Sequence, residues 1–187
     1  MTEPLSADTA IAATRAWIER AVIGLNLCPF AGRPWREDRV RLSVSEADGI
    51  EALAEDLGEE LLRLQRADPV ELETSLLIHP FVLNDFFEYN DFLDIADRLV
   101  EGMGLAGVIQ VASFHPRYQF ADTPADDPAN FTNRSPFPML HLLREASIEA
   151  ATDNIRDPDA IYERNIRTLR ELGLEGCRGL ASGRTAG

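Results

Sequence analysis

The stretch Leu72-Glu73-Thr74-Ser75-Leu76-Leu77-Ile78-His79-Pro80 decides how the chain is read. A short apolar run, preceded by Asp68-Pro69 and stopped by His-Pro, has the length and the boundaries of a buried strand. Pro80 has no N–H and holds His79 extended, so the strand ends with an imidazole at its carboxyl edge. Val108-Ile109-Gln110-Val111-Ala112-Ser113-Phe114-His115-Pro116 repeats the pattern. It is the least polar strand and is expected at the centre of a sheet. Upstream, Arg39-Val40-Arg41-Leu42-Ser43-Val44-Ser45 alternates strictly, which predicts an edge strand with one buried face.

The segments between these strands read as helices. Residues 50–65 follow Asp48-Gly49 and place Ile50, Leu53, Leu57, Leu61 and Leu64 on one stripe. Asn84 or Asp85 caps a helix that carries Phe86, Phe92, Ile95, Ala96, Leu99 and Val100 inward and stops at Gly102 and Gly104. A first helix runs from a cap at Asp8-Thr9 to Leu25, and a last one from Asp159 to Leu172, closed by Gly173. Residues 136–151 read as a helix started by Pro136 or Pro138, or as a fourth strand over residues 139–143. Periodicity leaves both open. Helices between strands are the βαβ pattern, which implies parallel pairing and right-handed crossovers. The expectation is a single α/β domain over residues 1–176, with a small, mainly parallel sheet of three to four strands and five or so helices. Residues 177–187, rich in Gly, Ser and Arg, are expected to fray.

Composition narrows the function. With 45% apolar residues and a mean hydropathy of −0.16 the chain reads as soluble and globular. No apolar run reaches the roughly 20 residues of a membrane span, and the acidic start Met1-Thr2-Glu3-Pro4 lacks the pattern of a signal peptide. A cytoplasmic location is expected, with Cys28 and Cys177 as free thiols. The net charge of −14 argues against nucleic acid and anionic membrane as partners. All 18 basic residues are arginine. Without lysine the chain has no Schiff-base chemistry, no pyridoxal phosphate attachment and no Walker-A lysine.

In open α/β sheets ligands sit beyond the carboxyl ends of the strands, which is where His79 and His115 fall. The edge character of the first strand favours pairing of the other two, which would put the rings about 5 Å apart; the first strand between them would make it about 10 Å. His141, in the first turn of the helix read after the long polar segment of residues 116–136, would complete a metal site of His79, His115 and His141, with a divalent ion such as zinc as the cofactor. Asn133, Arg134 and Ser135 precede that segment's helix, Arg144 follows His141 by three residues, and Tyr118 lies in the loop. These five are the expected binding residues for an anionic or polar substrate. Cys28 in Cys-Pro-Phe is the candidate thiol nucleophile, although the negative end of a helix disfavours its thiolate.

Four blocks of the sequence, residues 20–31, 88–93, 110–120 and 132–145, together resemble the DUF1415 family, a domain of unknown function. The resemblance implies kinship over nearly the whole chain and carries no activity, substrate or cofactor with it. Arg117 departs from the pattern, in which many members are expected to carry an acid.

The residues therefore suggest a small enzyme acting on a polar or anionic metabolite, with His79 and His115 as metal ligands or as acid and base. Metal-assisted hydrolysis is the form favoured. Two alternatives remain: a non-catalytic protein that binds a small ligand or a partner through the same surface, its histidines structural, and a thiol enzyme using Cys28.

Overall fold

The computed structural model describes residues 5–153 and 159–182. Ser6, rather than Asp8 or Thr9, caps the first helix, α1 (Ala7–Trp17): its hydroxyl accepts the Thr9 N–H at 3.2 Å. The helix then widens into a π-helical segment, Ile18–Ile23, and a short helix α2 (Gly32–Arg36) follows. The chain continues as β1 (Val40–Val44), α3 (Ile50–Arg66), β2 (Thr74–Ile78), α4 (Phe86–Gly102) and β3 (Ile109–Phe114). A 3₁₀ turn (Pro128–Thr132), β4 (Met139–Arg144), α5 (Glu145–Thr152) and α6 (Asp159–Ala181) complete it.

The sheet order is β1-β2-β4-β3. β1 and β2 are parallel, whereas β4 is antiparallel to both β2 and β3. The class is α/β, but the sheet is mixed rather than mainly parallel. The segment that could have begun a helix at Pro136 or Pro138 enters as a strand. Leu140 and Leu142 are buried on one face and Met139 on the other, so burial on both sides removes the alternation that marks a strand. β4 takes the central place assigned to β3, and β3 becomes an edge. β3 is apolar all the same, because Ile109 packs against the α3–α4 side and Phe114 meets Trp17 at 5.4 Å on the other.

Alternation sorts the side chains. Leu77, Leu140, Leu142 and Ile109 pack with Leu53, Leu57, Leu61 and Leu64 of α3 and with Phe92, Ala96 and Val100 of α4. Leu76, Ile78 and Met139 pack on the opposite face with Ala10, Trp17, Ile18 and Ala21. The outward-reading polar residues of β1 are only half-exposed. Arg41 grips the Glu60 carboxylate at 3.1 Å, and Ser75 donates to the same group at 2.8 Å. Glu60 is only 5% exposed, a buried acid on a helix whose other acids are mostly at the surface.

The last helix was expected to end at Gly173. That residue takes φ 75°, ψ 168°, a conformation only glycine adopts easily, and α6 bends there and runs on to Ala181. Cys177 is buried with Leu27, Phe131 and Leu169, so residues 177–182 belong to the fold and are not a frayed tail. Residues 183–187, and the Asp157-Pro158 helix signal, lie outside the described residues.

Candidate functional site

Loop 79–85 lies at the carboxyl edge of β2. Its carbonyls would be orphans there, and three side chains take three in succession. His79 Nδ1 donates to Val82 O at 3.1 Å, His115 Nε2 donates to Leu83 O at 3.1 Å, and Arg117 donates to Asn84 O at 2.7 Å. A carbonyl only accepts, so each bond fixes a tautomer. His115 Nδ1 in turn accepts the Arg117 N–H at 3.0 Å, leaving that ring neutral and fully bonded. His79 is the opposite tautomer, and its Nε2 has no hydrogen-bond partner among the described residues. Burial pushes both histidines down to about 4. At neutral pH they are uncharged props.

What they hold is strained. Leu83 has φ 58°, which costs a bulky residue on the order of 1–3 kcal/mol and persists only when its surroundings impose it. Tyr89 of α4 fills the space between the two imidazoles, 5.8 Å from the His79 ring and 5.0 Å from that of His115. Its hydroxyl donates to Met139 O and accepts the Phe114 N–H, joining β4 to β3 at this edge.

The structure thus brings His79 and His115 to one face of the sheet, with β4 between their strands. It does not bring His141 to them. His141 pairs with Leu76 and Ala112, whose side chains occupy the other face, and its Nε2 bonds Thr74 Oγ1 at 2.9 Å. A strand sends alternate residues to opposite faces, so the three imidazoles cannot share one ion. Among the described residues no group of three His, Cys, Asp or Glu side chains is placed to hold a metal.

The expected anion-binding residues are otherwise engaged. Arg144 donates to Leu64 O, Ala67 O and Leu72 O at 2.6–3.0 Å, capping the last turn of α3. Arg134 binds Tyr118 O at 2.9 Å and Ala125 O at 2.8 Å and lies over the Phe131 ring, folding residues 116–136 onto themselves. Asn133 donates to Ser113 O, and Ser135 to Phe137 O. The Tyr118 ring stands 5.2 Å from Phe86. Burial holds the Cys28 thiol above its ordinary range, and the hydrogen bonds that oppose this come from backbone, not from a histidine.

On the outer side of the propped loop an open cleft of about 530 Å³ lies between the N-terminal parts of α3 and α4. Ile50, Val82, Leu83, Phe92 and Ile95 give it apolar walls, and Asp48, Glu51, Glu88 and Asp91 line it with four carboxylates. Its described lining has no basic side chain. The α3 N-terminus also opens there, with Gly49 offering no side-chain cap. A helix dipole supplies about half a positive charge. Four acidic side chains outweigh it, so the lining is net negative.

A family model described as a protein of unknown function, DUF1415, matches residues 9–179. The chain belongs to that family. No curated protein and no solved structure matches it. The DUF1415 match includes every residue of the propped loop, Tyr89, His115, Arg117 and the cleft. Sequence reasoning located the two histidines in this DUF1415 chain and missed the cleft. Its acids come from two helices, and in each sequence they read as an ordinary acidic start.

Proposed function

We propose that the protein is a binding protein whose ligand is cationic, with structural histidines, acting in the cytoplasm. One observation carries the reading: three consecutive carbonyls of loop 79–85 are held by His79, His115 and Arg117, fixing a strained Leu83 in the wall of an acidic cleft. Strain kept at a ligand-facing loop is what preorganised sites show. A hydrolase built on the histidines has less support, because both rings are fully buried and both use a nitrogen to hold backbone. An anionic metabolite has less as well, given four carboxylates and arginines already bonded to carbonyls. No helix among the described residues is long and apolar enough to cross a membrane, and both thiols are free, which suits the cytoplasm.

Titration calorimetry with agmatine and arginine amide, against citrate and phosphate, tests the reading. Saturable binding of the cations is expected, weakened at least fivefold in a Glu88→Gln, Asp91→Asn variant. Binding of the anions instead, or cation binding indifferent to both substitutions, would overturn it.

A further inference from the structure

An aromatic stripe leads away from the cleft. Phe87 and Phe86 stand 6.2 Å apart, Phe86 and Tyr118 5.2 Å, Tyr118 and Phe120 5.0 Å, and Phe120 and Tyr162 6.4 Å, centroid to centroid. The run crosses α4, the loop of residues 116–136 and α6. Its inner members are half-buried, but its ends are open: Phe87 is 78% exposed and Tyr162 49%. Phe87 also lies one turn before Asp91 on α4, so the stripe starts on the helix face that borders the cleft. Two exposed aromatic side chains joined by a half-buried aromatic run form an apolar patch, and patches of this kind mark interaction sites on monomers.

Charge selects the occupant. Asp85, Glu88 and Asp91 flank the Phe87 end, Asp122 follows Phe120 by two residues, and Glu163 adjoins Tyr162. The arginines beside the stripe are engaged: Arg117 is tied to Asn84 O and paired with Asp85 at 3.3 Å, Arg134 is bonded to Tyr118 O and Ala125 O, and Arg170, near Tyr162, pairs with Asp127 at 2.9 Å. A second copy of a chain carrying −14 would meet like charge, and so would a nucleic acid. Aromatic faces attract guanidinium and ammonium groups. The stripe's four steps match on the order of six residues of extended chain, which is long and flat for a small molecule.

Resting on the cation-binding reading of the cleft, we propose that the ligand is a basic segment of a partner polypeptide. One arginine or lysine of that segment enters the cleft between α3 and α4. The residues beside it lie along Phe87, Phe86, Tyr118, Phe120 and Tyr162, with apolar side chains and further cations against the rings.

The test uses the full chain and three fluorescein-labelled peptides: arginine alternating with leucine, arginine alternating with serine, and glutamate alternating with leucine. Fluorescence anisotropy should show the arginine–leucine peptide binding most tightly. Phe87→Ala and Tyr162→Ser, both at exposed positions, should each weaken it about tenfold, the effect of losing one interface anchor, while agmatine affinity stays unchanged. Equal binding of the arginine–serine peptide together with indifference to Phe87→Ala would leave charge alone and overturn the proposal. So would absence of peptide binding, or self-association through the stripe in sedimentation that Phe87→Ala abolishes. Loss of agmatine binding to the unsubstituted chain sinks the cleft reading instead, so the two failures are distinguishable.

Discussion

Replacing His115 with leucine removes two hydrogen bonds, from Nε2 to Leu83 O and from the Arg117 N–H to Nδ1. Leucine fills similar space and bonds neither. Each lost bond to a neutral group costs about 1 kcal/mol, and a buried group left unpaired about 1–3 kcal/mol. The Leu83 carbonyl sits in a buried residue and the Arg117 N–H in an exposed one, so the sum is about 3 kcal/mol. For a chain of this size that corresponds to a melting temperature lower by roughly 6–12 °C. His79→Leu should behave differently. It loses one bond, to Val82 O, but it also removes a buried Nε2 that has no partner. The two effects oppose, and the cost should stay below about 1.5 kcal/mol. Urea unfolding at pH 7.5 measures both variants on one scale. Equal costs, or a larger cost at His79, would refute the assignment of tautomers and the role given to the loop.

Acid should weaken the fold through the same residues. His79 and His115 have folded pKa values of about 4 against the ordinary 6.5, so between these limits the unfolded chain binds more protons. Their stabilisation is complete above pH 6.5 and disappears as pH falls through 4; at about 1.4 kcal/mol per pH unit it is about 3 kcal/mol each. A His79→Leu, His115→Leu variant should show a flatter urea midpoint between pH 6.5 and 4.5. Glu60→Gln should cost about 2 kcal/mol in the same assay at pH 7, since the Arg41 and Ser75 bonds to the carboxylate outweigh its burial and hold it below its ordinary range. Cys28 should react with iodoacetamide more slowly than free cysteine at pH 7, and buried Cys177 only on unfolding; a fast Cys28 would revive the thiol enzyme.

The sequence marked the strand ends well, because a His-Pro stop is local: proline acts on the residue before it wherever the strand lies in the sheet. The order of strands was not legible. β4 between β2 and β3 depends on pairing across residues that are far apart in the chain, and Leu140 and Leu142 hide its alternation beneath burial. That one insertion placed His141 on the wrong face for the metal site and moved β3 to an edge. Arg144 was misread for a related reason. Three residues after a histidine it resembles part of an anion site, and nothing nearby announces the α3 carbonyls it caps some 80 positions upstream. The placement of α3 and α4 survived because amphipathic stripes such as Leu53-Leu57-Leu61-Leu64 are periodic and local.

The central claim is that His79 and His115 are neutral, opposite tautomers holding loop 79–85. Long-range proton–nitrogen correlation spectra of the imidazoles, followed from pH 8 to pH 5, measure this directly. The account predicts Nδ1–H at His79, Nε2–H at His115 and little titration of either ring across that range. A ring that titrates between pH 6 and 7, or one that exchanges between tautomers, would contradict it and return the histidines to the list of candidate catalysts.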